Sequence, residues 1–510
     1  MLALCNDAEL RKYVPLLLII LLGTCLRIHN LGEKSLWLDE AASVFDAQVL
    51  IPSLTERLLT SQGEVKWQIL QSIAQEWKIH QPSHPPFYFV LQRWGMAIGR
   101  CEFILRFLAV SIGIVSFPVL YRLAKDLFNE KVGFLSTLLL ATSPLHVYYS
   151  REARMYTLNT LLVLVSAYCV VHFLRAKAWN WRIGYVISMA TNLYTHYATI
   201  FAMAFLNVVA LTFACRQKDK KRLLKWIAMQ VGVLLLFVPW MPVAWLQITS
   251  GDGMAANQPL SLLEFSRTLY TMLSIGFHSG SVPGWVKAIV LPGFATFFLC
   301  GLIVPGIKDV TRGRIRWQIS PETILCLLYF AALAVLLFSW RKPPFAARMG
   351  LFGIPAYYMI VARGMESIRI GTKAYLAIVA VLILLLLFPI TINIYQRGPQ
   401  EDWRGTVDYI VTRLQPDDVV VLNAHFIHIP FSYYAEGRIS TYSDLRDVNK
   451  YPQNVPAMIA NATGGHKRLW LVLSHTQYED PEHLVKAYLV PPILFWMKDI
   501  RLGLTCTCTS

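Results

Sequence analysis

Residues 374–394 read AYLAIVAVLILLLLFPITINI, without one charged side chain. Crossing a bilayer as a helix takes about 20 mainly apolar residues, so this stretch is a membrane span rather than a buried core helix. Working outward, Tyr13–Leu26, Phe103–Leu120 and Val231–Leu246 are similar runs with few or no charges. The whole chain follows suit: of 510 residues, 55% are hydrophobic and 15% charged, with mean hydropathy +0.46. A soluble globular chain is about a quarter charged. A soluble enzyme, a secreted disulfide scaffold and a nucleic-acid factor are therefore excluded, although Lys+Arg 47 against Asp+Glu 31 leaves a net charge of +16. The fold class is an α-helical polytopic membrane protein.

About eleven spans follow from hydropathy. They lie near 13–28, 103–123, 132–148, 157–174, 183–195, 198–214, 226–246, 286–305, 321–339, 350–362 and 374–394. Cationic segments recur on alternate sides of successive spans: Arg11/Lys12, Lys125/Lys131, Arg175/Lys177/Arg182, Arg216–Lys225, Lys308/Arg312/Arg314/Arg316 and Arg363/Arg369/Lys373. The positive-inside rule makes that face cytoplasmic. The chain is then expected to be a multi-pass protein of the inner or plasma membrane, N-terminus cytoplasmic and C-terminus outside. Arg11 and Lys12 precede the first run without a small-residue cleavage site, so that run reads as a retained span. Residues 183–214 are read as two short spans meeting at Thr195-His196-Tyr197; one kinked span would invert everything downstream.

The division expected is a transmembrane module over 1–394 and a C-terminal extracytoplasmic domain over 395–510. The first outside loop, 29–102, carries Trp37, Trp67, Trp77 and Trp94, which suit the membrane interface, and an interfacial helix at Pro85–Ile98. The strand-like runs Val419–Leu422 and Leu469–Leu473, with a helical pattern at Pro481–Leu489, predict a small α/β domain. Cys506 and Cys508 form a C-x-C near the C-terminus without partners at metal-ligand spacing.

Chemistry-bearing residues gather at the outer ends of the spans. Asp39 and Glu40 follow an apolar Leu36-Trp37-Leu38; the plain reading is acids favouring a helix N-terminus. His84 precedes Pro85-Pro86, a helix start. Arg151 and Arg154 are spaced to share a helix face, beside Glu152 and Tyr156, on the side where the positive-inside rule disfavours cations. They suit an anionic partner, against the alternatives of an ion pair with Glu152 or lipid headgroup binding. His196, Arg341-Lys342 and Arg348 are further polar islands in apolar sequence. Polar groups at membrane depth tend to line functional cavities. Together they describe a site for an anionic, membrane-embedded substrate with a carboxylate at hand as base.

These residues also carry a resemblance. The chain resembles the polytopic glycosyltransferases of the GT-C fold, in the family 39-like group that includes protein O-mannosyltransferases and lipid A aminoarabinose transferases. The matching elements are Arg27–Ser43 with Trp37-Leu38-Asp39-Glu40, His84-Pro85-Pro86, Glu102–Arg106, Pro144-Leu145-His146, Tyr149–Tyr156 and Thr195-His196-Tyr197. They return at Arg348–Gly364 and Asp402-Trp403-Arg404-Gly405. Arg348 is followed by Met349-Gly350, where relatives commonly carry an aromatic.

The resemblance implies a polyprenyl-phosphate sugar donor and a protein, lipid or glycan acceptor. Inverting transfer needs a base, for which Asp39 is the candidate, with Glu40 beside it. Arg151, Arg154 and Arg348, with His84, His196 and Tyr156, are the candidates to hold the phosphate. A divalent metal ion is the one cofactor the resemblance admits, with Glu152 and Asp39 as its ligands. A transporter or lipid flippase is the alternative; such proteins often show repeated halves, and no internal repeat is visible.

Overall fold

The computed structural model describes residues 7–60, 84–175, 178–249, 261–276, 279–310, 326, 329, 330, 348, 350–368, 371–396, 401–466, 468–489 and 505–509. Trp67, Trp77, Arg341, Lys342 and most of the expected span 321–339 lie outside them. The chain divides into two compact units. The first comprises Met1–His29, Val49–Gly99 and Ile104–Gln396; the second comprises Asn30–Gln48, Arg100–Phe103 and Arg397–Ser510.

The first unit is helical. Its principal elements begin with α1 (Asp7–Ile28) and, beyond α2 (Leu38–Gln48) of the second unit, α3 (Leu50–Thr60) and α4 (Phe87–Gly95). Then come α5 (Glu102–Leu127), α6 (Glu130–Ala141), α7 (Pro144–Ser150), α8 (Tyr156–Arg175), α9 (Asn180–Leu193) and α10 (Thr199–Gln217). The series closes with α11 (Lys220–Phe237), α12 (Met241–Thr249), α13 (Leu262–Ile275), α14 (Gly284–Val310), α15 (Ile354–Ser367) and α16 (Thr372–Ile390). Among the described residues, 6 helical stretches are long and apolar enough to cross a membrane, including Glu102–Leu127, Tyr156–Arg175 and Thr372–Gln396. Leu17, Leu18, Leu21, Leu235 and Leu384 are each about 60% exposed. A surface of that kind suits lipid, where an exposed leucine meets acyl chains instead of water.

One expected span looks different in three dimensions, while 183–214 divides into two helices as expected. The run 132–148 is not one helix: it breaks between α6 and α7, where Ser143 caps the new helix by accepting from the His146 N–H and Pro144 occupies the first turn. The break is held by a buried cation. The Arg27 guanidinium donates to the carbonyls of Ala141 (2.9 Å), Leu140 (3.3 Å) and Gly23 (2.8 Å), and lies 4.8 Å over the Phe117 ring. The 183–214 region is two helices, α9 and α10, with Tyr194–Ala198 as the turn. Helices α14 and α15 meet at glycines: a Cβ on Gly364 would sit 1.7 Å from the Phe297 carbonyl, and one on Gly301 2.1 Å from that of Ile360. Small residues permit backbones to approach this closely.

The second unit is α/β. Its sheet has the order β2-β1-β3-β4, with β1 (Asp418–Asn423) parallel to β2 (Tyr442–Leu445) and β3 (Arg468–Leu473), and β4 (Thr505–Thr509) antiparallel to β3. Cys506 and Cys508 therefore lie in a strand, opposite Val472 and Trp470. Every residue of β1 is buried, because each face of the strand is covered. Val420 and Leu422 pack with Trp403, Val407 and Ile410 of α17 (Trp403–Val411) and with Phe431 of α18 (His428–Ala435). Val419 and Val421 pack with Val455 and Ile459 of α19 (Val455–Thr463) and with Val485. Continuous burial of this sort marks a central parallel strand.

Candidate functional site

The sequence-predicted residues fall into one cluster in each unit. In the first unit, His84, Arg154, His196 and Arg348 gather with Tyr149 and Tyr156. The His84 and His196 rings are 5.7 Å apart, Tyr156 and His196 6.4 Å, Tyr149 and Tyr156 5.3 Å. Arg154 is 3% exposed, His196 4%, and Tyr156 1%. The position of His84 comes from its neighbours: its carbonyl accepts from Gln247, and the Phe87 N–H that begins α4 bonds the Tyr194 carbonyl at 3.0 Å. Helix α4 buries Tyr88, Phe89 and Gln92 while Trp94 stays 70% exposed. The expected interfacial helix is thus anchored on one face.

The charges acting on the two histidines all act in one direction. Burial holds the His196 ring down to about 3, the charges of Arg154 and Arg348 adding to it. His84 is lowered by burial first, then by Arg154, His196 and Arg348. Both rings are neutral at physiological pH. His196 Nδ1 accepts from the Ala198 N–H at 3.0 Å, which places its proton on Nε2; that atom is buried with no hydrogen-bond partner among the described residues. Two cations beside a buried donor that has no acceptor among the described residues form a cluster that suits an anion.

Arg151 and Glu152 are placed differently from Arg154. Arg151 donates through one nitrogen to the carbonyls of Arg27 (2.8 Å) and His29 (2.5 Å), and lies 5.3 Å over the Tyr395 ring. It thereby satisfies carbonyls that end α1, a position that favours a cation. Glu152 is 6% exposed and acts electrostatically on Tyr149.

In the second unit the carboxylates assemble around the start of α2. Glu40 is 1% exposed and reaches back to accept from the Trp37 N–H at 3.4 Å, half of a capping box. Asp39, one residue earlier, is half-buried. Glu401, an acid in a polar segment that gives no sequence signal, ties this turn to the α/β domain. One of its oxygens accepts from the Leu38 N–H (3.2 Å) and the Trp403 indole, the other pairs with His475 Nε2 at 3.1 Å, and its carbonyl accepts from Ser35 (2.6 Å). Burial pushes the Glu401 carboxyl above its usual range, with the Asp39 charge adding to the rise and His475 opposing it.

The remaining motif residues are staples. Arg404 pairs with Glu102 and donates to the Gly32 and Glu33 carbonyls; Tyr434 donates to Glu102 (2.9 Å) and accepts from the Leu36 N–H (2.7 Å). Asp402 caps α17 by accepting from Gly405, where a Cβ would stand 2.4 Å from its carboxylate. This explains the Asp402-Trp403-Arg404-Gly405 motif.

Among the described residues, no group of three or more His, Cys, Asp or Glu is arranged to hold a metal ion. Glu152 and Asp39 lie in different units.

Residues 83–245 match the family model described as dolichyl-phosphate-mannose-protein mannosyltransferase. No curated protein matches the chain in sequence. Among solved structures, the chain is similar to ArnT from Cupriavidus metallidurans bound to undecaprenyl phosphate: TM-score 0.60, 11% identity, 97% of each chain covered. It is also similar to the archaeal oligosaccharyltransferase AglB from Archaeoglobus fulgidus, in complex with an inhibitory peptide and a dolichol-phosphate. There the TM-score is 0.55 at 10% identity, over 94% of this chain and 71% of that one. The fold is GT-C, and the resemblance to glycosyltransferases of the family 39 type is borne out.

Proposed function

We propose that this chain, with its GT-C fold and its mannosyltransferase-like segment, is an integral-membrane glycosyltransferase that takes a sugar from a polyprenyl-phosphate donor. Support for the donor class comes from the buried cluster of Arg154, Arg348, His84 and His196, and from lipid phosphates bound to two proteins of the same fold. The chemistry is a single displacement. Asp39 takes the proton of an acceptor hydroxyl or amine as the acceptor atom bonds to the anomeric carbon. The anomeric C–O bond to phosphate breaks on the opposite face, its electron pair leaving on the lipid phosphate, and configuration inverts. Arg154 and Arg348 stabilise that charge in a low-dielectric site, and the His196 Nε2–H supplies a neutral donor. We assign the reaction to the outer face of the membrane on the positive-inside reading of the basic segments.

The observation that carries this reading is the juxtaposition of two arginines and a buried, acceptor-seeking imidazole. The probe is undecaprenyl phosphate, followed by native mass spectrometry of the purified full chain. Wild-type protein retains the lipid and the Arg154→Ala/Arg348→Ala variant does not. Equal retention by a folded variant would sink the phosphate site.

A further inference from the structure

A groove of about 270 Å³ lies on the first unit, between the N-terminal halves of α9 and α11. It is lined by Arg182, Ile183, Val186, Ile187, Lys225 and Met229, with Ala228. We propose that it is a binding site for one anionic phospholipid, the headgroup phosphate between Arg182 and Lys225 and an acyl chain along the isoleucines.

Chain direction explains why cation and groove coincide. Helix α10 returns between α9 and α11, so both helices run the same way and begin at the same end of the bundle. Arg182 is in the first turn of α9 and Lys225 in the second turn of α11. Two helix N-termini add partial positive charge at that end. The connecting segment carries Arg216, Lys218, Lys220, Lys221 and Arg222 against the single acid Asp219, whose side chain is engaged in capping α11. Among the described residues, neither Arg182 nor Lys225 makes an ion pair or a side-chain hydrogen bond. Trp179, 67% exposed just before α9, sets this end at interface depth.

The rest of the groove is built for a hydrocarbon chain. Ile183 and Ile187 are 46% and 57% exposed, while Met229 is buried as the floor. The groove is held open and rigid by its own walls. Tyr185 and Gln230 exchange hydrogen bonds (3.1 Å and 3.4 Å), the Tyr185 and Trp226 rings are 4.9 Å apart, and a Cβ on Gly232 would stand 3.4 Å from Val186. Basic pockets between membrane helices are suited to anionic headgroups, and this one lies apart from the Arg154–His196 cluster, at the end of α9 opposite Thr195-His196-Tyr197.

The test uses the full chain in nanodiscs of phosphatidylcholine containing palmitoyl-oleoyl phosphatidylglycerol, with lipid adducts counted by native mass spectrometry. Arg182→Ala/Lys225→Ala should weaken phosphatidylglycerol retention by roughly 30-fold. Ala228→Trp, which fills the groove and keeps both charges, should do the same. A charge-matched control, Lys131→Ala/Lys373→Ala, should keep the adduct. Unchanged retention in the first two variants, or equal loss in the control, would overturn the site. A dimer abolished by Ala228→Trp would overturn it too, since the occupant would then be a second copy.

Discussion

The Arg27 guanidinium donates to Nδ1 of His146 across 2.8 Å, in the interior of the helical unit. That contact fixes the tautomer of His146, joins α1 to the break between α6 and α7, and completes a set of acceptors that also includes Ser150 at 3.2 Å. Arg27→Ala leaves the carbonyls of Leu140 and Ala141 buried without this donor. The expected loss is about 3 kcal/mol or more. Arg27→Lys should recover little of it, since an ammonium offers three donors in place of five. Thermal denaturation of the detergent-solubilised protein measures both.

Arg151 and Arg154 are three residues apart yet should behave differently. Arg151 completes the end of α1, whereas Arg154 charges the histidine cluster. Arg151→Gln is expected to lower the melting temperature with undecaprenyl phosphate affinity per folded molecule unchanged. Arg154→Gln is expected to weaken that affinity at least about tenfold, the loss of one charged hydrogen bond. The reverse pattern in a lipid-binding titration would exchange their roles.

Asp39→Asn should abolish transfer, by about a hundredfold or more for loss of a general base, while undecaprenyl phosphate still binds. Glu40→Gln should cost about 1 kcal/mol of stability through its cap and leave more activity. Mass spectrometry of glycans in cells complemented with each variant distinguishes them; full product with Asp39→Asn removes Asp39 from the base role.

Glu401→Gln keeps the size of the side chain but removes its charge and turns one acceptor into a donor, so the Leu38 N–H and the Trp403 indole, which share one oxygen, meet either the new NH2 or an amide oxygen that accepts more weakly than a carboxylate. Protection of the Leu38 amide against hydrogen exchange should fall, by about 1–3 kcal/mol of opening free energy. Unchanged protection would show that Glu401 does not position the Asp39 turn.

His425 gives a pH signature. Its hydrogen bond to Glu479 raises its pKa above the usual 6.5. A raised histidine contributes stability fully below the unfolded value and loses it as pH rises through the folded value. Stability of the α/β unit should therefore decline from near pH 6.5 upward, modestly, because His425 is 40% exposed on its side chain. His425→Gln should flatten that decline in melting curves recorded across the same range.

Much of this was legible in the chain itself. Apolar runs as long as 374–394 can only be spans, because a bilayer demands both length and internally satisfied backbone. The continuous apolar run Val419–Leu422 announced a strand of an α/β domain, and its unbroken burial follows because both faces are covered. His84, Arg154, His196 and Arg348 stood out because polar groups amid apolar sequence need a purpose. Residues with ordinary surroundings carried no such signal. Glu401 sits in a polar segment where an acid is unremarkable, and its three contacts reach residues more than sixty positions away or fold back locally. Local pattern also read 132–148 as one helix, since hydropathy is blind to a distant arginine that can satisfy the carbonyls of a break. Sequence by itself determined the membrane class, the α/β tail and the residue types of the proposed site, all set by short-range composition and period. Only tertiary structure decided which arginine caps a helix and which charges the histidines, because a guanidinium's role depends on the acceptors that folding brings within 3 Å.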